Sequence, residues 1–111
     1  MKRIETIKEK DIFNNIIRTG KFKKNDNFVI YYKEKKCIYS KYGIAIKNSI
    51  GKAYIRNKLK RQARSLIDLH KKEFKNEYDY IIMIREGCLK SKFDLLSNSF
   101  KHLLGRINNE K

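Results

Sequence analysis

Proline is missing altogether, glycine occurs five times and cysteine twice, and 12 acidic residues face 28 lysines and arginines. Each scarcity excludes something. Without proline, low-complexity stretches or an internal repeat there is no sign of a linker, and 111 residues suit one domain spanning 1–111. Cys37 and Cys88 stand far apart, with no CxxC pair and no histidine at ligand spacing, so neither a zinc site nor a disulfide framework is expected. No glycine-rich phosphate loop occurs. Glu73, Glu77 and Asp79 are scattered among lysines, which offers no carboxylate cluster for a two-metal nuclease. His70 and His102 are the only histidines. An acid and base for RNA cleavage would need such a pair side by side, and nothing in the spacing joins them, so both are read as structural. No apolar run approaches the roughly 20 residues that span a bilayer. The charged stretch Met1–Asp11 lacks the apolar centre of a secretory signal, which sets the expectation of a soluble, cytoplasmic protein.

What remains is a modest core and a large charge. Apolar residues make up 41% of the chain and aromatics 12%, enough to fold, while the net charge is +16. Self-repulsion of that size works against a compact state unless a polyanion neutralises it. Nucleic acid, an anionic membrane and an acidic protein all qualify on composition alone.

Periodicity orders the elements. Thr6 and Glu9 have the spacing of a capping box, and Ile12, Phe13, Ile16 and Ile17 form an apolar face, which predicts a helix from Ile7 to Thr19 closed by Gly20 in a left-handed cap. Phe13 and Ile17 sit slightly round from Ile12 and Ile16, as if two surfaces were served. A short strand near Phe22 precedes strands over Asn27–Lys33 and Lys41–Lys47, separated by a charged turn. Phe28, Ile30 and Tyr32 point one way and Val29 and Tyr31 the other, so both faces are covered or one of them binds. A long helix follows from Gly51 or Lys52 to about Phe74. Tyr80–Ile84, continuously apolar, reads as a central strand. Ser91 and Asp94 cap a last helix carrying Phe93, Leu96, Phe100, Leu103, Leu104 and Ile107. The order α-β-β-β-α-β-α predicts an α+β two-layer sandwich.

Between Glu34 and Asp68 no acidic residue occurs, while ten lysines or arginines do: Lys35, Lys36, Lys41, Lys47, Lys52, Arg56, Lys58, Lys60, Arg61 and Arg64. An ordinary solvated helix mixes its signs. At 100° per residue Arg56, Lys60, Arg64, Asn57 and Arg61 share one face of about 140°, with Ile55, Leu59, Ala63, Leu66, Ile67 and Phe74 assigned to the other. Forked guanidinium groups can each grip a phosphate through two hydrogen bonds. Gly51 permits close backbone approach, and the helix start beyond it offers free N–H groups to a phosphate. RNA is therefore the expected partner. A DNA reader is disfavoured because the face is broad and lacks a helix-turn-helix setting. A membrane-surface helix is disfavoured because the apolar side suits burial under a sheet. A partly open sheet face carrying Tyr31, flanked by Phe13, Lys10 and Lys47, suits a single strand whose bases stack on rings, although on the residues alone Phe13 reads first as a plain core residue.

The run Gly51-Lys52-Ala53-Tyr54-Ile55-Arg56-Asn57-Lys58-Leu59-Lys60-Arg61-Gln62-Ala63-Arg64 resembles the signature helix of the bacterial ribonuclease P protein family. The match rests on Ala53, Arg56, Asn57, Lys60, Arg61 and Arg64. Gly43-Ile44-Ala45-Ile46 is similar to the strand that precedes that helix in the family, and Lys10–Gly20, Phe28–Tyr31 and Asp79–Arg85 fall in the expected order. Lys58 stands where the family usually has arginine, Asn48 and Ser49 where a lysine pair is common, and Ile17 where an aromatic is frequent. The resemblance implies a subunit that assists a catalytic RNA in removing the 5′ leader of precursor tRNA. In that picture Mg²⁺ is held by the RNA and no cofactor by the protein alone. It further implies that Lys52, Arg56, Asn57, Lys58, Lys60, Arg61 and Arg64 meet the RNA, and that Phe13, Ile17 and Tyr31 wall the leader cleft. A small, mostly antiparallel sheet with a left-handed βαβ crossover is implied too. The protein by itself is expected to carry no catalytic residue. The alternative is a ribosomal or other structural RNA-binding protein.

Overall fold

The computed structural model describes Ile7 and residues 10–34, 41–74, 78–90 and 92–108. Three helices, α1 (Lys10–Thr19), α2 (Ala53–Leu69) and α3 (Phe93–Asn108), surround four strands, β1 (Lys21–Lys24), β2 (Phe28–Glu34), β3 (Tyr42–Ile46) and β4 (Tyr78–Ile84). The element order is the expected one. The sheet runs β1-β2-β4-β3, with β1–β2 and β2–β4 antiparallel and β3–β4 parallel. Its composition explains the placement of β4. A strand with apolar side chains on both faces is stable only between neighbours, and Tyr80, Ile81, Ile82 and Ile84 are all buried. The two strands read as flanking one turn, β2 and β3, are thus not partners, because β4 sits between them.

Alternation along the strands divides the core. Phe28, Ile30, Tyr32, Tyr42, Tyr80, Ile82 and Ile84 project under α2 and α3, where they meet Leu59, Leu66, Ile67, Phe100 and Leu103. On the other face Ile81 packs with Ile7 and Ile16, joined by Phe13, Ile17, Tyr31 and Ala45. The two surfaces hinted at by α1 are real: Ile16 is buried, Phe13 and Ile17 are half-buried, and Ile12 is 42% exposed.

Three further expectations need correcting. Ile7 is not helical; its N–H bonds the Tyr42 carbonyl at 2.9 Å, lengthening the β3 edge. The capping-box pair Thr6 and Glu9 lies outside the described residues, as do Cys37, Glu77 and Ser91. No glycine among the described residues has a positive φ, so Gly20 is not a left-handed cap. It is needed for space, since a Cβ there would lie 2.6 Å from the Ile16 carbonyl oxygen and 2.8 Å from that of Tyr32. Finally, α2 stops at Leu69, and Phe74 arrives in extended conformation after a 3-10 turn over Lys71–Glu73. Breaking the helix lets Phe74 reach Tyr80 and Tyr42, with ring centroids at 4.7 and 5.0 Å.

Candidate nucleic-acid interface

The fold leaves the basic face of α2 bare. With Leu59, Ala63, Leu66 and Ile67 buried, α2 presents Asn57, Lys58, Arg61 and Arg64 to solvent, and Arg56 and Lys60 lie half-buried along the seam. Among the described residues no carboxylate pairs with Lys52, Arg56, Lys58, Lys60, Arg61 or Arg64. The first turn of α2 holds no acidic residue, and Lys52 gives it no side-chain cap. Its leading N–H groups therefore add positive potential to that of the side chains.

Arg56 has a second task. Its Nε donates to the Gly51 carbonyl at 3.2 Å and one terminal nitrogen donates to Asn48 Oδ1 at 2.7 Å. The guanidinium thus ties the start of α2 to the turn over Asn48–Ile50 and leaves fewer donors for a phosphate. Asn48, at a position where the family often has lysine, serves here as the acceptor that holds Arg56.

That turn leads straight into a groove. A cavity of about 510 Å³ lies on the sheet face beside α1, lined by the rings of Phe22 and Tyr31, the cations Lys24, Lys47 and Arg85, the carboxylates Asp26 and Glu86, and apolar side chains such as Val29, Ile50 and Met83. Pairing of Phe22 with Tyr31 across β1–β2 puts both rings on this face, 5.7 Å apart. Two of the expected cleft residues, Tyr31 and Lys47, line the cavity. Phe13 and Ile17 do not line it; they are half-buried side chains of α1 packed towards Ile81 on the same sheet face. Lys10 lies exposed at the head of α1 and is not among the lining residues. Phe22, 53% exposed, and the cations Lys24 and Arg85 escaped the sequence reading. An aromatic isolated among lysines gives no periodic signal, although the cross-strand position of Phe22 opposite Tyr31 would have exposed it once the hairpin was aligned.

The wall at Arg85 is held by a tight network. Arg85 donates to the Asn25 carbonyl at 2.6 Å, and Asn25 Oδ1 accepts from the N–H groups of Asn27 and Phe28, both at 2.9 Å. Asn25 Nδ2 also reaches Ser99 Oγ of α3 at 2.9 Å. The β1–β2 turn is thereby anchored to α3, which fixes one rim of the groove.

The two histidines are held apart. His70 Nε2 lies 3.0 Å from Ser97 Oγ and Nδ1 lies 3.0 Å from Glu73 Oε2, clasping the end of α2 to α3. His102 is exposed on α3 and no contact joins it to His70. Among the described residues no three His, Cys, Asp or Glu side chains are grouped to hold a metal ion. Burial pushes the Cys88 thiol up to about 11, so it is protonated and inert at neutral pH. Among the described residues no helix is long and apolar enough to cross a membrane.

The family model described as Ribonuclease P matches residues 1–108. The ribonuclease P protein component of Mycoplasma mycoides is 40% identical over 108 residues, covering 96% of this chain and 99% of the relative. That of Streptococcus agalactiae is 32% identical, with 94% of each chain covered. The same fold recurs in the RNase P protein of Thermotoga maritima, with a TM-score of 0.82 and 29% identity over 92% of this chain and 96% of that one. A Staphylococcus aureus RNase P protein mutant, described as defective in mRNA degradation activity, superposes with a TM-score of 0.88 at 27% identity, covering 96% and 90%. Sequence likeness along almost the whole length, carried by a shared architecture, establishes that the chain belongs to the ribonuclease P protein family.

Proposed function

We propose that this chain is the RNA-binding protein subunit of a ribonuclease P whose bond-breaking is done by RNA. In this reading the α2 face of Lys52, Arg56, Asn57, Lys58, Lys60, Arg61 and Arg64 holds the catalytic RNA. The groove of Tyr31, Phe22 and Lys47, flanked by Phe13 and Ile17, receives the single-stranded 5′ leader of precursor tRNA. The observation that carries it is continuity: Lys47 lines the groove, whose wall also holds Asp26 and Glu86, Arg56 grips the turn just after Lys47, and the unpaired cations of α2 follow with no acidic residue from Lys47 to Arg64. One polyanion can run from groove to helix, which a plain structural RNA-binding protein would not need.

The division of labour follows from chemistry. Rings stack on bases of any sequence, at roughly 1–3 kcal/mol each, which suits leaders that differ from one tRNA to the next. Lysine and arginine neutralise phosphates where two RNA chains crowd together, and screening by protein cations replaces part of the Mg²⁺ that folded RNA otherwise requires. This reading assigns no step to a metal on the protein and takes Mg²⁺ to be held by the RNA. The site of action is the cytoplasm.

Adding the chain to the matching ribonuclease P RNA at low Mg²⁺ tests this. Leader removal should appear in the mixture and be absent from either component alone. Cleavage of precursor tRNA or of a messenger RNA by the purified, RNA-free chain would overturn the assignment of catalysis to RNA.

A further inference from the structure

Beside the basic face lies a second, smaller hollow that the leader groove does not include. It has a volume of about 280 Å³, close to the lower end of small-ligand sites at roughly 300 Å³. Leu59 and Ile55 of α2 and Cys88 form an apolar floor, Leu89 and Tyr54 stand as walls, and Lys58 and Gln62 occupy the rim. Cys88 is not free to react there, because its Sγ donates to the Asn27 carbonyl at 3.1 Å.

Three features point to one occupant. Tyr54 keeps 69% of its surface in water, so a large ring stands at the mouth with one face uncovered. The Gln62 amide is half-buried and has no hydrogen-bond partner among the described residues. It offers both donor and acceptor, as the edge of a heterocyclic base does. The third is position on the helix. Going round α2 from Arg61, Tyr54 follows at about 20°, Lys58 at about 60° and Gln62 at about 100°. The hollow therefore borders the phosphate-binding face, and a nucleotide whose phosphate rests on Arg61 has its base within reach of Tyr54.

Resting on the reading that α2 meets the catalytic RNA, we infer that this hollow takes one unpaired nucleobase of that RNA. The base stacks on Tyr54 over the floor of Leu59 and Ile55, Gln62 hydrogen-bonds its edge, and Lys58 holds the adjoining phosphate. Tyr54 and Gln62 would then add shape and edge recognition to an interface that phosphate contacts alone leave indifferent to sequence.

The test measures binding of a ribonuclease P RNA transcript by the full chain, with Tyr54→Ala, Tyr54→Phe and Arg61→Ala variants. Because the ring is exposed, melting followed by circular dichroism should show all three folded. Losing one stacked base corresponds to about 5- to 150-fold weaker affinity. Tyr54→Ala should show that loss with the salt slope of wild type, whereas Tyr54→Phe, which keeps the ring, should bind within about twofold. Dimethyl sulfate and carbodiimide probing should find one unpaired base protected by wild type and open with Tyr54→Ala, its neighbouring phosphates staying protected. If Tyr54→Ala binds and protects like wild type while Arg61→Ala flattens the salt slope, the base site is wrong and the helix interface stands. If neither variant changes binding, both readings fall. If Tyr54→Ala alters only self-association of the RNA-free chain in sedimentation, the hollow is a protein contact and the proposal is overturned.

Discussion

At the level of single residues, Gly43 and Phe13 fit closely together on the α1 side of the sheet. A Cβ on Gly43 would lie 2.6 Å from the nearest carbon of the Phe13 ring, so the ring rests directly on the backbone of β3. Gly43→Ala must push the ring away from Ile81, and urea unfolding should show a loss of about 1–3 kcal/mol. In a Phe13→Ala background the same change should cost far less, since the clash is gone. An undiminished cost would mean that β3 itself rejects the methyl group. Arg56 is the second residue whose neighbours define it. Its bonds to Gly51 and Asn48 make it a brace for the turn as much as a phosphate ligand. That double use was hidden in the sequence, where Arg56 looks like one more member of a periodic basic stripe.

Helix α2 makes a numerical statement about binding. Removing one phosphate-binding cation should flatten the slope of log affinity against log salt by about 0.7–0.9. Arg61→Ala and Arg64→Ala, both solvent-facing, should each have an effect of about that size with unchanged melting. A slope equal to wild type in both would place the RNA on another face. The strands make a statement about selectivity. Tyr31→Ala or Phe22→Ala should weaken precursor tRNA by several-fold and mature tRNA hardly at all, as gel-shift titration of the two would show; equal losses would remove the leader from this groove. Elements of this kind were legible to different degrees. The α2 stripe and the α3 pattern are strong periodic signals, Tyr80–Ile84 is an unbroken apolar run, and the structure places each where its pattern requires. The end of α2 was not legible, because no glycine or proline marks it and the aromatic pull on Phe74 comes from Tyr42, Tyr80 and Phe100, distant in sequence. The groove was half legible: Tyr31 and Lys47 follow from alternation, whereas Phe22 and Arg85 enter only through β1–β2 pairing and the turn that Asn25 builds.

For the molecule as a whole, a charge of +16 on 111 residues stores repulsion that folding must overcome. Thermal melts in rising sulfate should therefore shift upward, about 4–8 °C for each 1 kcal/mol of repulsion relieved. A melting point indifferent to sulfate would show that the cations are already far enough apart. Topology adds a constraint on synthesis. In the sheet order β1-β2-β4-β3 the strand made last fills the gap between two made earlier. While the ribosome is still translating α2, β2 and β3 each carry an open edge, and the only strand that can close both has yet to be made. A chain halted before Tyr78 is thus no smaller version of the protein but a pair of sticky strands with a basic tail, guarded from aggregation chiefly by its lysines.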